Sequence, residues 1–454
     1  MSTSNFAAII LAAGKGTRMK SSTHKVLHSV GGKPMLMYLL DTVNKLDPVE
    51  NILVVGAGKE QLMNAVSGAD FVEQTEQLGT GHAARIAVDS LPEGFSGDVI
   101  ILFGDVPFIP LSVMEEMIAK GGSEVGNGLT VLGFRPEDAA KYGRLVTSTD
   151  GKLERIVEFK DASEQERAIT LCNSGMMLIS GSHAKKWLHQ LSNDNAAGEY
   201  YLTDLVEFAR KDGFDVAVVE ASEDDVLGIN SREDLARAEL AMQKKWRKQA
   251  LDGGVTMTDP DTVYFSHDTK LGFDVTIEPN VFFGPGSVIE NGVTIKANSH
   301  IEGAHVRANS SIGPFARLRP AADIGEGSKI GNFVEIKKTK LHEGVKVSHL
   351  TYLGDAEIGA DANIGAGTIT CNYDGFLKYK TSIGAGAFIG SNSALVAPVT
   401  IGDGAIVGAG SIITKDVEVD SLAVARGRQR GIPEFAANFR EEKAAKKAAQ
   451  KGKK

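Results

Sequence analysis

Apolar residues recur at every sixth position through most of the second half of this 454-residue chain. The clearest run has six such residues, four of them followed directly by glycine: Ile383, Ile389, Leu395, Ile401, Val407 and Ile413. A period of six fits neither the 3.6-residue turn of an α-helix nor the two-residue alternation of a β-strand. It is typical of a parallel β-helix, in which one apolar residue points inward on each flat side and glycine or asparagine turns the corner.

The same period runs upstream in three further registers. Their members are Leu271, Ile277, Phe283, Ile289, Ile295 and Ile301, then Val306, Ile312, Leu318, Ile324, Ile330 and Ile336, then Tyr352, Ile358 and Ile364. The period slips by one at Leu341, and after Ile364 the next position falls on polar Thr370. Three sides make a coil of about 18 residues, and coils stack roughly 4.8 Å apart. The sequence therefore predicts a long triangular prism.

Branched apolar residues at this spacing resemble the repeats of hexapeptide acyltransferases. The resemblance implies a left-handed β-helix that associates as a homotrimer, with sites between neighbouring subunits. The period alone does not set the hand, and the usual crossover rule would favour the opposite one.

The bulk properties limit the class of protein. A chain of 454 residues exceeds one ordinary core, which predicts two domains. A net charge of −9 argues against a nucleic-acid partner. The two cysteines, Cys172 and Cys371, are far apart and lack the spacing of a zinc site, as in a reducing cytoplasmic compartment. No apolar run approaches the ~20 residues of a membrane span, and Phe6–Ala13 is followed at once by a Gly-Lys-Gly turn, which indicates a buried strand.

The first half alternates apolar runs with helical patterns, which predicts an α/β domain with a mostly parallel sheet and helices on both faces. The predicted strands are Phe6–Ala13, Ile52–Gly56, Asp98–Phe103, Leu129–Gly133 and Asp215–Val219. Ligands of such sheets bind beyond the carboxyl ends of the strands.

A glycine-rich loop follows the first predicted strand. Small residues from Gly14 to Gly16 let a phosphate approach the backbone, and Arg18 and Lys25 add positive charge. The spacing is not that of a Walker loop, and Met19 stands where a dinucleotide fingerprint has its third glycine. A plain surface turn is the alternative, but the strand before the loop and the two cations after it favour a nucleotide site.

This loop resembles the nucleotide loop of the sugar-phosphate nucleotidyltransferases. The segment from Gln74 to Ala83 is similar to the uracil-recognising segment of the uridylyl branch, and the segment from Phe103 to Pro107 to its metal-binding aspartate motif. The resemblance implies a Rossmann-like domain in which Arg18 and Lys25 act in catalysis.

Asp105 is the predicted ligand of Mg²⁺. A carboxylate at the carboxyl end of a strand suits this ion, which takes one or two protein ligands besides phosphate oxygens. Asp105 alone could equally be a turn residue, and the glycine loop favours the metal role. The resemblance pairs it with an asparagine late in the domain, Asn230.

By the same resemblance, the site for UTP and UDP-N-acetylglucosamine combines these loops with later segments, and Gly143, Glu158 and Asn173 line its sugar end. Its residues are Leu11, Ala12, Ala13, Gly14, Lys25, Gln74, Gly79, Thr80, Phe103, Gly104, Asp105, Gly143, Glu158, Asn173 and Asn230. The chain departs from the family at two positions: Phe103 replaces a tyrosine, and His24 replaces a proline.

A helix is predicted to connect the two halves. Ser231 to Asp234 reads as a capping box, and Asp252-Gly253-Gly254 ends the helix. The residues expected to be buried are Leu235, Leu240, Met242 and Trp246. We therefore predict a nucleotidyltransferase domain at residues 1–232, a helical linker at 233–253 and a β-helix domain with a C-terminal tail at 254–454.

The interruption of the prism between Ile364 and Ile383 predicts a loop, and loops on a rigid scaffold often carry function. His349 lies nearby. A lone histidine on such a flank often only satisfies a turn, but the residues around this one are densely polar: Arg319, Lys337, Tyr352, Asn363, Asn372, Tyr373 and Lys378.

Three segments, 331–338, 349–355 and 363–375, resemble the bacterial bifunctional family that joins glucosamine-1-phosphate N-acetyltransferase to N-acetylglucosamine-1-phosphate uridyltransferase. The resemblance implies that His349 is the catalytic base. It assigns the acceptor sugar phosphate to Arg319, Lys337, Tyr352, Asn363 and Lys378, and acetyl-CoA to Ala366, Asn372, Tyr373, Ser391, Ala409 and Arg426.

The implied enzyme uses acetyl-CoA and UTP as co-substrates and Mg²⁺ as cofactor. It acetylates glucosamine-1-phosphate and then makes UDP-N-acetylglucosamine, a precursor of peptidoglycan and lipopolysaccharide. Two alternatives are a non-catalytic assembly subunit, which would be expected to lack Lys25, Asp105 and Asn230 or the His349 cluster, and a nucleotidyltransferase whose β-helix only builds the oligomer.

Overall fold

The computed structural model describes residues 5–121, 127–139, 142–195 and 198–451. The chain forms two compact units, one of Met1–Gln249 with Phe265–Asp268 and one of Ala250–Tyr264 with Thr269–Lys454. The domain limits at residues 232 and 254 stay predictions. Within the described residues, no helix is both long and apolar enough to cross a lipid bilayer.

The first unit contains a mixed sheet, a short ribbon and the helices that cover the sheet. Its strands are β1 (Phe6–Leu11), β2 (Ser29–Val30), β3 (Lys33–Pro34), β4 (Glu50–Val55), β5 (Asp70–Glu73), β6 (Asp98–Phe103), β7 (Asn127–Phe134), β8 (Arg144–Thr147), β9 (Leu153–Val157), β10 (Cys172–Ile179) and β11 (Asp215–Ala221). Its helices are α1 (Met35–Lys45), α2 (Lys59–Ala65), α3 (Thr80–Asp89), α4 (Leu111–Lys120), α5 (Glu164–Arg167), α6 (Gly181–Gln190), α7 (Leu205–Lys211) and α8 (Arg232–Asp252), which runs on into the second unit.

The main sheet has the order β11-β7-β10-β6-β1-β4-β5. Neighbours in this order are parallel except at β10, which runs antiparallel to both β6 and β7. The sheet also includes β8, which pairs antiparallel with β10 and with β9. The predicted mostly parallel sheet is confirmed, and all five predicted strands are present. In β1 the side chains alternate between two cores: Ala8 and Ile10 belong to one, and Ile9 and Leu11 to the other. Apolar residues of helices on both faces fill these cores, so the sheet is buried on both sides.

Helix α8 begins at the predicted cap, because Ser231 Oγ accepts from Asp234 N at 3.1 Å and Asp234 Oδ2 accepts from Ser231 N at 2.9 Å. The prediction that Leu240 is buried is wrong, since this side chain is 59% exposed. The polar residue Gln243 is buried instead, and its amide bonds both Phe265 N (2.8 Å) and Phe265 O (2.7 Å). The three other residues expected to be buried are half-buried: Leu235, Met242 and Trp246.

The second unit is a parallel β-helix, and every strand pair in it is parallel. Its strands are β12 (Thr256–Met257), β13 (Lys270–Leu271), β14 (Thr276–Ile277), β15 (Phe282–Phe283), β16 (Val288–Ile289), β17 (Thr294–Ile295), β18 (His300–Ile301), β19 (Ala304–Val306), β20 (Ser311–Ile312), β21 (Arg317–Leu318), β22 (Ala322–Ile324), β23 (Lys329–Asn332), β24 (Glu335–Leu341), β25 (Lys346–His349), β26 (Tyr352–Ile358), β27 (Asn363–Ile364), β28 (Ile369–Cys371), β29 (Thr381–Ile383), β30 (Phe388–Ile389), β31 (Ala394–Val396), β32 (Val399–Ile401), β33 (Ile406–Val407), β34 (Ile412–Ile413) and β35 (Leu422–Ala423). A last helix, α9 (Phe435–Lys451), follows.

The strands form three faces. Face 1 is the sheet β12-β14-β17-β20-β23-β25-β27-β30-β33-β35. Face 2 contains β13, β16, β19, β22, β29 and β32, and face 3 contains β15, β18, β21, β28, β31 and β34. The long strands β24 and β26 belong to both, because their first halves pair along face 3 and their second halves along face 2.

The period-six residues fill the interior of the prism, and all but two of them are buried. Leu271 is half-buried, and Tyr352 is not an interior residue. Leu353 takes the interior place in register with Ile336, so the prediction for Tyr352 is wrong. Thr370 is buried and extends the period by one step, with its hydroxyl bonded to the backbone of the preceding coil.

The corner before face 3 carries an unusual set of residues, here called the corner ridge: Phe315, Phe333 and Leu350. All three have left-handed backbone, with φ of 55°, 56° and 52°, although bulky side chains rarely adopt it. They are also exposed, and the rings of Phe315 and Phe333 stack at 5.2 Å. Asparagine occupies the equivalent place in other coils, for example Asn298. The corner ridge therefore keeps exposed apolar groups in a strained backbone.

Candidate active sites

A cavity of about 280 Å³ opens in the first unit at the carboxyl ends of β1 and β6. Ten of the residues predicted for nucleotide binding line it: Leu11, Ala12, Ala13, Gly14, Lys25, Gln74, Gly79, Thr80, Phe103 and Asp105. Four lining residues were not predicted from the sequence: Val26, Gln77, Ala83 and Glu199. Gln77 donates from Nε2 to Ala13 O at 2.7 Å, which ties the second predicted segment to the glycine loop.

Gly16 shapes the wall that carries Lys25. Its φ is +57°, in the left-handed region, and a Cβ on Gly16 would lie 2.6 Å from Lys25 Cβ. Real Cβ atoms do not approach so closely, so only glycine leaves room for the Lys25 side chain along this wall. Gly16 therefore serves the placement of a cation.

Lys25, Asp105 and Asn230 meet at one point. Lys25 Nζ lies 2.5 Å from Asp105 Oδ2 and 3.1 Å from Asn230 Oδ1. A backbone bond from Ile229 N to Asp105 O, 2.9 Å, brings the Asn230 segment to the end of β6. The Lys25 and Asp105 side chains are only 12% and 17% exposed, so their ion pair is partly shielded from water.

The oxygens of Asp105 and Asn230 converge on a cation, here the Lys25 ammonium. Carboxylate and amide oxygens are the ligands that Mg²⁺ prefers, with phosphate oxygens and water completing the shell. Across the described ranges, no group of three or more His, Cys, Asp or Glu side chains could hold a metal by itself. The residues present thus fit a metal that arrives with a nucleotide.

A second polar patch adjoins the cavity through Phe103. A Cβ on Gly175 would lie 3.0 Å from the Phe103 ring, and Gly175 N donates to Asn173 Oδ1 at 3.0 Å. Asn173 N in turn donates to Gly143 O at 2.9 Å, and Glu158 Oε1 would be 3.3 Å from a Cβ on Gly143. Burial raises the pKa of Glu158. The three residues predicted for the sugar end are therefore close together.

The remaining predicted residues of this unit lie near the cavity without lining it. Gly104 follows β6 and donates to Leu11 O at 3.0 Å. Arg18 is exposed on a short 3-10 turn. His24 is buried, neither of its ring nitrogens has a hydrogen-bond partner among the described residues, and burial together with the charge of Lys25 lowers its pKa. A proline would place no such polar group beside Lys25.

In the second unit, His349 lies on a continuous edge of the prism. This edge, here called the His349 edge, lies between faces 1 and 3 and contains Asn332, His349, Ala366, Ser391 and Ala409. Their carbonyls accept from the backbone of the next coil, at Leu350, Gly367, Asn392 and Gly410, with distances of 3.0, 3.3, 2.7 and 2.8 Å. The Arg426 guanidinium extends the edge by bonding Ala409 O at 2.5 Å. Four residues predicted for acetyl-CoA thus lie in one row above the predicted base.

Exposed apolar side chains flank the upper part of this edge. On face 1 they form the register Phe388, Ile406 and Leu422. On face 3, Ile369 and Ile412 are exposed. The small residues of the edge therefore lie between exposed apolar side chains of face 1 and face 3.

A cluster of cations lies at the other end of the face 3 strands. Arg319 and Lys337 end adjacent strands of this face, and Arg319 donates to Glu335 at 2.8 Å. The Lys378 ammonium lies close to Lys337, and its contact and charge, with the nearby charge of Arg319, lower the pKa of Lys337. Tyr352 points toward the cluster, because its hydroxyl would lie 2.3 Å from a Cβ on Gly354. Repelling cations held together in this way suit a phosphate group.

The loop after β28 is a tight hairpin, as the interruption predicts. Asn372 is buried and donates to Asp355 at 2.5 Å, and Tyr373 pairs with Lys378. The turn projects Phe376, which is 92% exposed.

One chain does not bring the acetyl-transfer residues together. His349 ends the face 1 strand β25, before the corner at Leu350, whereas Lys337 is in register with Gly354, which lies within β26 beyond that corner. Asn363 lies on face 1, beside Lys346 and Phe388. The site is therefore divided between two edges of the prism.

The chain resembles known proteins in both units. The model of the MobA-like NTP transferase domain matches residues 8–226, and that of the bacterial transferase hexapeptide (six repeats) matches residues 268–303 and 380–415.

Three relatives, each called bifunctional protein GlmU, match nearly the whole chain. The protein of Rhizorhabdus wittichii is 56% identical, with 98% of this chain and 99% of the relative covered. Those of Sphingopyxis alaskensis (53%; 98% and 99% covered) and Zymomonas mobilis (50%; 96% and 98% covered) are similar. With half or more of its residues shared over such lengths, the chain belongs to the family of bifunctional GlmU proteins, and it combines a nucleotidyltransferase with a hexapeptide acetyltransferase.

Proposed function

We propose that the second unit acetylates glucosamine-1-phosphate with acetyl-CoA, and that the first unit transfers UMP from UTP to the resulting N-acetylglucosamine-1-phosphate. The observation that carries the proposal is the presence of two separate sets of groups, one in each unit. Lys25, Asp105 and Asn230 converge in the first unit. His349 begins a row of small residues in the second.

In the acetyl step, His349 acts as the base. It takes a proton from the amino group of the sugar, whose nitrogen attacks the thioester carbonyl of acetyl-CoA. The new N–C bond forms as the C–S bond breaks, and the proton passes from the imidazole to the departing thiolate. Arg319, Lys337 and Lys378 hold the sugar phosphate, while Tyr352 and Asn363 orient the ring.

Acetyl-CoA extends along the His349 edge. The small side chains of Ala366, Ser391 and Ala409 let an extended thiol arm lie against the backbone, and the flanking apolar residues shield it from water. Arg426 provides a positive charge for the phosphates at the far end, and Asn372 and Tyr373 contact the donor from the hairpin.

A homotrimer would join the divided acetyl site. The base and the phosphate-binding cations lie at different edges of one prism, so packing the edge of one copy against that of another would place them opposite each other. The exposed corner ridge and the exposed apolar side chains beside the His349 edge are surfaces for such packing, since exposed apolar surface at contiguous positions marks contact sites.

In the uridylyl step, a phosphate oxygen of N-acetylglucosamine-1-phosphate attacks the α-phosphorus of UTP, and pyrophosphate leaves. Lys25 and Arg18 neutralise the phosphates, and the backbone from Leu11 to Gly14 positions them. Gln74, Gly79 and Thr80 hold the uracil end, and the Gly143–Glu158–Asn173 patch holds the sugar. When bound by Asp105 and Asn230, Mg²⁺ would offset the charge of the phosphate oxygens.

Paired assays test the proposal. The wild-type protein should release thiol from acetyl-CoA with glucosamine-1-phosphate, and pyrophosphate from UTP with the acetylated sugar phosphate. His349→Ala should lose the first activity and keep the second, because the groups lie in different units. A protein without either activity would be an assembly subunit, and one without thiol release would use its prism as scaffold alone.

A further inference from the structure

Asn332 lies directly beside His349 on the His349 edge. The two residues end adjacent strands, β23 and β25, and are register partners in the face 1 sheet. Leu350 N donates to Asn332 O at 3.0 Å, which fixes the backbones of the two coils to each other. The side chains also meet, since Asn332 Oδ1 lies within hydrogen-bonding distance of His349 Nδ1.

This contact determines where the imidazole carries its proton. An amide oxygen only accepts hydrogen bonds, so the ring nitrogen that faces it is the protonated one. The lone pair of the neutral ring is then on Nε2, the nitrogen that points away from Asn332. We propose that Asn332 is a positioning residue for acetyl transfer, which holds His349 in the tautomer and orientation that a base acting through Nε2 requires. The inference rests on the proposed function, in which His349 is that base.

The corner ridge supports the same arrangement. Phe333 and Leu350, the residues after Asn332 and His349, both have left-handed backbone. Residues with such strained backbone cluster where the surrounding structure fixes a functional geometry. Stacking of Phe333 on Phe315 holds the corner in place. The coil that carries Asn332 is therefore held on one side by the stacked ring of Phe315 and on the other by its contacts with the coil of His349.

The partner of His349 is a neutral amide, so it orients the ring without adding negative charge. The charged and titratable groups around the pair are Lys296, Lys329 and Lys346 on the side of face 1, and Glu335 and Tyr352 on face 3. A carboxylate in place of the amide would keep the hydrogen-bond acceptor and would also stabilise the imidazolium. Comparing the two side chains therefore separates the effect of ring orientation from the effect of charge.

Two substitutions in the full-length protein test the proposal. Asn332→Ala removes the acceptor, and kcat for acetylation should fall about 10- to 100-fold, by analogy with the loss of a partner that orients a metal-ligating histidine. The KM values for acetyl-CoA and glucosamine-1-phosphate should stay within about twofold, because this residue is not proposed to bind either substrate. Asn332→Asp keeps the acceptor and should recover most of kcat, with the acidic limb of the pH profile moved up by about one pH unit, as a nearby carboxylate does to a histidine.

Asn298→Asp is the matched control. It places the same charge on this side of the prism three coils below His349, or about 14 Å away at 4.8 Å per coil, where salt screens it. Its pH profile should equal that of the wild type. Wild-type kcat in Asn332→Ala, or an unmoved acidic limb in Asn332→Asp, would overturn the proposal. Failure of the proposed function is distinguishable, because wild type would then not acetylate the sugar, or His349→Ala would still do so.

Discussion

Substitution of Gly16 by alanine tests how the first site places its cation. The new methyl group would lie 2.6 Å from Lys25 Cβ, against the ~3.4 Å or more of an ordinary contact, so the Lys25 wall has to shift by most of an ångström. A misplacement of about 1 Å at a positioned catalytic group costs about 100-fold in rate. Left-handed backbone at an alanine costs a further 1–2 kcal/mol or so of stability. We therefore expect pyrophosphate release to fall about 100-fold while thiol release stays at the wild-type rate.

Gly68→Ala is the matched control for this experiment. Gly68 has φ of +79°, but a Cβ there meets no atom within 4 Å, so the substitution adds backbone strain without a clash. It should lower the free energy of unfolding of the first unit by a similar ~1 kcal/mol and leave pyrophosphate release unchanged. Denaturant unfolding and both activity assays compare the variants. If Gly16→Ala keeps wild-type uridylyl activity, or if Gly68→Ala loses it equally, then the place of Lys25 does not depend on Gly16.

Three further experiments address other parts of the molecule. Asp105→Ala should reduce pyrophosphate release at least 100-fold and leave thiol release within twofold, roughly the loss of a charge-neutralising group; a wild-type dependence on Mg²⁺ concentration in this variant would remove Asp105 as a ligand. Because Lys378 lowers the pKa of Lys337, Lys337 should lose its charge at a lower pH than an ordinary lysine, and sugar-phosphate binding should then weaken. Lys378→Met should move this loss to higher pH when KM for the sugar phosphate is measured against pH. An unchanged titration would contradict the assigned cluster. Replacing both Phe315 and Phe333 with asparagine should relax the left-handed corners but dissociate the proposed trimer in sedimentation experiments, and a variant that sediments like the wild-type trimer would show that the corner ridge does not form the contact.

The interior of the prism was predictable because its period is a direct consequence of geometry. Each coil must bury one side chain per face, so burial follows spacing, and even the slip at Leu341 is real: this residue pairs with Ile324 and is buried. A constant six-residue step back from Ile358 predicts Tyr352 inside, but the step there is five residues, so Leu353 is the buried residue.

In the first unit, the sequence predicted what the strand ends bring together. Lys25 and Asp105 follow strands β1 and β6, which are parallel neighbours, so their meeting follows from topology. Strand β10 was missed because an antiparallel strand inserted into a parallel sheet has no distinct pattern of its own. Glu199 reaches the cavity from far along the chain, and only the folded structure shows that contact.

Helix α8 shows how tertiary contacts override an apolar pattern. Leu240, an apolar residue predicted to be buried, is exposed, whereas polar Gln243 is buried and bonds both the N–H and the carbonyl of Phe265. Which face of the helix is buried thus depends on the backbone polar groups that pack against it, and the sequence of the helix alone does not contain that information.

The fold fixes the spacing of the residues along the His349 edge. Its positions are separated by the spacing of hydrogen-bonded strands, about 4.8 Å, and by nothing smaller. A point mutation can change the side chain at one of these positions, but the distance from the imidazole to Arg426 changes only when a whole coil is gained or lost. The length of donor that this edge can bind should therefore change only in steps of one coil, when about 18 residues are duplicated or deleted.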